Sequence, residues 1–145
     1  MIPDNTLFLS ATDTTIGFLC RDAGRLDQVK ERPARKPYIR VFPSLASMQN
    51  QFRIPRRHRK RVRRVRRHTF VHPHGASFRI VDDSRHLLLL RRLGWAYSSS
   101  ANLSGRTFDE TYARSVADVI VEPLGMPGEP SRILKMNRRK LRRLR

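Results

Sequence analysis

The chain has 145 residues, with 31 Lys and Arg against 12 Asp and Glu, a formal charge of +19 at neutral pH. Its longest aliphatic run, Leu87-Leu88-Leu89-Leu90, falls far short of the roughly 18 apolar residues of a spanning helix, and the single Cys20 excludes an internal disulfide and a multi-cysteine metal site. The start, Met1-Ile2-Pro3-Asp4-Asn5, has neither the basic opening nor the apolar stretch of a secretory signal, so the expectation is a small cytoplasmic protein with no membrane partner.

Thr6-Leu7-Phe8-Leu9 suits a buried strand. A polar, Thr-rich turn from Ala11 to Gly17 follows, and Arg21 to Glu31 predicts a short helix stopped by Pro33. Tyr38 to Phe42 reads as a strand ended by Pro43. Ser44 to Gln51 is a helix with Ser44 as its cap. Arg56 to Arg67 carries Val62 and Val65 three apart and little else apolar, which predicts a helix with a thin buried stripe. Thr69 to Val71 and Ser77 to Val81 read as strands around a Pro73-His74-Gly75 turn. Asp83 to Leu93 is the clearest helix, closed by Gly94. Trp95 to Ser98 is a strand leading into a hydroxyl-rich loop that ends at Gly105. A helix over Phe108 to Val116, a strand over Val119 to Val121 and a last strand over Ser131 to Leu134 complete the series. Alternating strands and helices predict an α/β class with a twisted, open, mixed sheet.

The charge is concentrated. Arg53 to His68 holds 10 Lys and Arg in 16 residues with no acid, and Arg138 to Arg145 holds six in eight, again with none. The organisation expected is one domain over 1–136, with its basic segment at 53–68, and a basic tail at 137–145. Such a field favours polyanions. Arginine supplies 26 of the 31 cations, and its planar fork suits phosphate. Arg56, Arg57, Arg59, Lys60, Arg63, Arg64, Arg66 and Arg67 are therefore candidate contacts for RNA, tRNA or double-stranded RNA. No aromatic residue interleaves the runs, so nothing points to base-specific readout.

Phosphate-binding glycine loops of the GxxxxGK or GxGxxG type are absent. His72 and His74 lack a nearby carboxylate or thiol and read as a structural or surface pair; no metal site is predicted. Ser98 to Ser100 lack the GxSxG elbow of a serine hydrolase, and Cys20 reads as packing. Three clusters remain: Thr12 to Gly17, Lys30 to Lys36, and Ser98 to Gly105. Loops after strand ends are where α/β sheets bind ligands. Hydroxyls and an amide suit a nucleotide or a small polar substrate, and Lys and Arg suit its phosphates.

As words, these clusters resemble the YrdC/TsaC family. Ser98-Ser99-Ser100-Ala101-Asn102-Leu103-Ser104-Gly105 resembles its SANxSG signature, and Lys30-Glu31-Arg32-Pro33 with Lys36-Pro37 its KxRPxxKP stretch. Ala11 to Gly17 is similar to its Thr-rich turn, Ser77 to Val81 to a strand with an inward Arg, and Pro130-Ser131-Arg132-Ile133 to its late PSTI segment. The order agrees over about residues 7 to 135. Ala11 stands where the family has Pro, Ile16 where it has Tyr, and Arg67-His68-Thr69 replaces its GPxT word.

The resemblance implies a YrdC-like fold with a basic cavity, and a threonylcarbamoyl-AMP synthase. This nucleotidyltransferase joins L-threonine, bicarbonate and ATP, accompanied by Mg²⁺, and releases pyrophosphate. The product feeds tRNA threonylcarbamoyladenosine modification through a TsaD-type transferase complex. By the same resemblance, Lys30 and Arg32 are catalytic. Arg32, Lys36, Thr69, Ser100 and Asn102 bind ATP; Thr12, Arg79, Ser98 and Ser131 surround threonine. The alternative is a non-catalytic RNA-binding protein of this fold acting in tRNA or ribosome maturation.

Overall fold

The computed structural model describes residues 1–32, 37–126 and 128–145. In chain order the elements are β1 (Phe8–Ala11), β2 (Ile16–Cys20), α1 (Ala23–Lys30), β3 (Ile39–Phe42), α2 (Leu45–Gln49), α3 (Arg56–Arg64) and β4 (His68–Val71). β5 (Ser77–Ile80), α4 (Ser84–Leu93), β6 (Ala96–Ser100), α5 (Glu110–Val116), β7 (Val119–Val121), β8 (Arg132–Met136) and β9 (Leu141–Arg143) follow. The strands form one mixed sheet in the order β7-β1-β2-β6-β3-β5-β4-β8-β9. β1 with β7, β3 with β5, and β4 with β8 run parallel. The mixed α/β sheet expected from the sequence is therefore what the chain forms. Among the described residues no helix is long and apolar enough to cross a membrane.

Alternation along the strands sorts side chains onto two faces. On β3, Val41 packs with Leu89, Leu90 and Leu93 of α4, whereas Phe42 packs with Met48 of α2 and Val62 of α3. On β2, Leu19 joins the α4 cluster, whereas Phe18 and Cys20 join Leu26 of α1 and Ala113 of α5. So α4 covers one face and the other four helices cover the opposite one. Cys20 is buried within this packing.

Local signals explain where the helices begin and end. Asp22, Asp83 and Asp109 each accept a backbone N–H as N-caps of α1, α4 and α5, a bond the first turn otherwise lacks. Gly94 closes α4 at φ 82°, a conformation that costs a residue with a Cβ. α3 stops at Arg64 rather than Arg67, since Val65 is already extended and Arg66 and Arg67 lead into β4. Two strands have no counterpart in the sequence reading. β2 begins inside the predicted polar turn, where Ile16 is 4% exposed. β9 lies in the basic tail, paired to β8 through Leu134↔Arg143 and Met136↔Leu141. Backbone pairing decides both: β2 is an internal strand whose residues are all buried, whereas β9 is an edge strand that pairs with β8 and leaves its arginines in water.

Phe78 stacks on Phe52 and Phe70 with ring centroids 5.4 and 5.7 Å away, and is fully buried. Phe78→Ala is expected to cost about 3–5 kcal/mol of unfolding free energy, measured by urea denaturation. Leu88→Ala, at an exposed position of α4, should stay within about 0.5 kcal/mol. Equal losses would disprove the assignment of the core.

Candidate functional site

The face that carries α4 also carries a polar hollow. Its cavity is about 290 Å³, the small end of the about 300–1,000 Å³ usual for ligand sites. Thr14 and Thr15 from the β1–β2 turn line one side, and Ser98, Ser99 and Ser100 of β6 another. Arg32, Arg79 and Arg145 supply three guanidinium groups, and Ser131 closes the wall beside Pro130. Among the described lining residues none is a carboxylate. An anionic, hydrogen-bonding ligand matches such walls.

Three sequence-predicted residues meet at this hollow, Arg79 and Ser131 lining it and Thr69 bonded to both. Arg79 of β5 is 3% exposed, and its Nη1 donates to Thr69 Oγ1 at 3.2 Å. Thr69 Oγ1 lies 2.7 Å from Ser131 Oγ. Arg79 Nη2 also makes an ion pair with Asp13 Oδ1 at 3.2 Å, both side chains being buried. His86, at the start of α4, brings Nδ1 to 3.7 Å from the same oxygen, a charge-range contact rather than a hydrogen bond.

Burial pulls the Arg79 guanidinium below its ordinary pKa, and Asp13 works against that pull. Burial would raise the pKa of Asp13, yet His86 and Arg79 outweigh it and hold the carboxyl below its ordinary 3.8. Among the described residues, Asp13 Oδ1, Arg79 Nε and both ring nitrogens of His86 are buried without an aligned hydrogen bond. Buried polar atoms are rarely left so.

Lys30 behaves differently from its predicted role at the phosphates. Its side chain is buried and does not line the hollow; Nζ donates to the Ser100 and Asn102 carbonyls at 2.8 and 2.7 Å. It clamps the Ser98–Gly105 loop from behind. Burial first, and the charge of Arg32 second, bring its pKa down from 10.5 to about 8. Asn102 likewise turns inward, its Nδ2 donating to the Leu103 and Arg106 carbonyls. Thr12 Oγ1 donates to the Thr15 carbonyl within the turn, and Thr14 and Thr15, not Thr12, face the cavity. Gly17 lets this turn approach β6, since a Cβ there would stand 3.0 Å from both Ser99 O and Thr12 Cγ2.

Arg32 stacks its guanidinium 4.5 Å above the Tyr38 ring and donates to the Pro37 carbonyl. Tyr38 in turn donates to Asp27 Oδ1 at 2.6 Å; burial first, and that bond second, push its phenol pKa well up. Lys36 lies outside the described residues. Ser98 and Ser100 stand in the wall of the hollow.

The residues missed by sequence reasoning are Asp13, His86 and Arg145. Asp13 had a usable signal, as the one acid in a hydroxyl-rich turn. Arg145 had none. It reaches the site because β9 folds back on β8, and its Nε and Nη2 donate to the Ser131 carbonyl at 3.2 and 3.0 Å. The RNA-contact candidates Arg56, Arg57, Arg59, Lys60, Arg63 and Arg64 are exposed on α3, on the opposite face of the sheet. Arg66 and Arg67 are exposed and pair with Asp82 and Glu129.

By sequence, the chain matches no family model and no curated protein. By structure, it superposes on Sua5 from P. abyssi, a protein solved in complex with L-threonine, with a TM-score of 0.81 and 17% identity. The chain has the YrdC/Sua5-like fold. That match covers 97% of this chain and 50% of Sua5, so the chain spans half the length of that neighbour. E. coli YciO gives a TM-score of 0.75 at 14% identity, over 97% of this chain and 82% of YciO. The MTH1692 protein of Methanobacterium thermoautotrophicum gives 0.69 at 20% identity, over 97% and 80%. The YrdC-like architecture implied by the SANxSG-type loop is thus the fold itself.

Two outcomes test this geometry. Lys30 sheds its proton at about 8 when folded and at its ordinary 10.5 when unfolded, so between those values the unfolded chain binds more protons and stability rises with pH. Urea unfolding at pH 8 and pH 10 should show this rise in the wild type and its loss in Lys30→Met; parallel changes would contradict it. Asp13→Ala leaves Arg79 buried without its counter-charge and should cost about 3–5 kcal/mol in the same assay at pH 7.

Proposed function

We propose that the protein is a threonylcarbamoyl-AMP synthase. L-Threonine and bicarbonate form a carbamate with loss of water. A carbamate oxygen then attacks the α-phosphorus of ATP; the new P–O bond forms as the bond to the β-phosphate bridging oxygen breaks, and pyrophosphate leaves. The observation that carries this reading is the polar hollow, with three guanidinium groups and no carboxylate among its described lining residues. Those guanidinium groups suit the threonine carboxylate and the phosphates of ATP. The likeness to a neighbour solved with L-threonine supports the same ligand class.

Each residue then has a physical task. Ser98, Ser131 and the Thr12–Thr15 turn surround the threonylcarbamate. Arg32 offsets charge on the departing pyrophosphate, the role that the resemblance also gives Lys36. Lys30 and Asn102 set the loop that presents Ser100 to the nucleotide, and Thr69 fixes Arg79. Positioning and electrostatics suffice, without a covalent nucleophile. The described residues contain no group of three His, Cys, Asp or Glu that could hold a metal, and none of those lining the hollow is a carboxylate. They do not fit a resident Mg²⁺ site, so the ion belongs to the substrate, Mg-ATP. The product would pass to a TsaD-type transferase complex acting on tRNA in the cytoplasm.

A second reading rests on a specific observation. Two nitrogens of Arg79 already bind Asp13 and Thr69, and the Lys30 amine serves two carbonyls. With these cations already engaged by the protein, the fold also suits a non-catalytic RNA-binding protein of tRNA or ribosome maturation.

Pyrophosphate release with Mg-ATP and bicarbonate, with and without L-threonine, separates the two. Threonine-dependent release is expected, and Arg32→Ala should slow it by about 10²-fold or more. No release from folded protein, or release indifferent to threonine, would sink the synthase reading.

A further inference from the structure

The two basic runs, 70 positions apart in the chain, meet in the fold. A His58 ring nitrogen lies 2.8 Å from the Asn137 carbonyl, and Arg57 Nη1 donates to the Arg139 carbonyl at 3.4 Å. These contacts fasten α3 to the turn between β8 and β9. Between them runs a groove of about 700 Å³, lined by Arg53, Arg56, Arg57, Arg59, Arg138 and His74. Among the described residues, none of these arginines forms an ion pair with a carboxylate. The first turn of α3 borders the groove at Pro55 and has no side-chain cap, so its orphan N–H groups add to the positive field.

We propose that this groove, with the outward row of α3, is a binding surface for the phosphate backbone of a nucleic acid. His58 and Val62 are the buried stripe of α3, which leaves Arg56, Lys60 and Arg64 in a row on the opposite side. Residues four apart on a helix rise about 6 Å, and a regular row of like charges suits a linear polyphosphate better than a single carboxylate. The groove cations are all arginine, whose fork binds phosphate in bidentate fashion. Among the described residues none of the exposed large apolar side chains lines the groove, and interfacial segments enter lipid by such an apolar face. The surface lies across the sheet from the polar hollow and does not depend on the synthase reading.

The test compares two triple variants that remove the same charge. Arg53→Gln/Arg56→Gln/Arg138→Gln takes three groove cations whose side chains make no hydrogen bond among the described residues, and Arg85→Gln/Arg91→Gln/Arg92→Gln takes three exposed cations of α4. Binding to a fluorescent 20-base-pair RNA duplex, to the DNA duplex of the same sequence and to phosphatidylserine vesicles is followed from 50 to 200 mM salt. Thermal melting checks that both variants fold.

The wild type should bind the RNA with log K falling linearly against log salt. The groove triple should lose about tenfold or more in affinity and reduce the slope by about 2–3. The α4 triple should stay within about threefold. The same loss on DNA assigns the site to the shared phosphate backbone, and loss on RNA alone adds the 2′-hydroxyl to what is read; both support the surface. Equal losses from the two triples, no salt dependence, or a loss confined to vesicles would overturn it. Neither variant alters the polar hollow, so this result and pyrophosphate release are read independently.

Discussion

An arginine buried in a protein interior must keep a counter-charge, and the pairing of Arg79 with Asp13 organises much of this molecule. Removing a guanidinium from water costs several kcal/mol before any partner is counted. Asp13 meets that demand at 3.2 Å, and Thr69 takes a second nitrogen. The requirement ties together elements that are distant in the chain. The β1–β2 turn carries Asp13, β5 carries Arg79, β4 carries Thr69, and Ser131 precedes β8. The start of α4 adds His86 to the same cluster. A loss of register in any of these strands would strand a charge, so the pair specifies the sheet order as well as the polar hollow above it.

The second constraint is the clamp at Lys30. Its ammonium sits behind the Ser98–Gly105 loop and holds two carbonyls that would otherwise be free to turn. The side chain presented to the hollow is then a serine hydroxyl, while the cation stays hidden. Arg32, two residues later, takes the exposed role and is steadied by the Tyr38 ring. One short basic motif thereby divides into a buried positioning residue and a wall residue. α1 ends between them, with Glu31 in the left-handed region at φ 50°, and the change of direction sends the two side chains to different places.

Charge is also divided by the sheet. The hollow and α4 share one face, while α3 and its cations cover the other. An arginine-rich helix with two buried side chains would not persist alone, since like charges four apart repel. It is held because Val62 enters the aromatic cluster of Phe52, Phe70 and Phe78, and His58 bonds to the β8–β9 turn. Burial of a thin stripe is enough once the neighbouring elements are in place.

The sequence by itself determined the element types wherever a local signal was strong. The mixed α/β class, α4 between Asp83 and Gly94, the capped start of α2 at Ser44, and the SANxSG-type loop beside a strand were all legible in it. These rest on neighbours a few residues apart, where caps, periodicity and turn residues act directly. Tertiary structure alone decided the rest. It started β2 inside a stretch that reads as a turn, and made β9 from a stretch that reads as a charged tail. It sent the Lys30 amine inward, gave Arg79 to Asp13, and carried Arg145 to the hollow. Those outcomes depend on backbone pairing and on charge compensation between residues tens of positions apart, and no local pattern encodes which distant partner will satisfy a buried group.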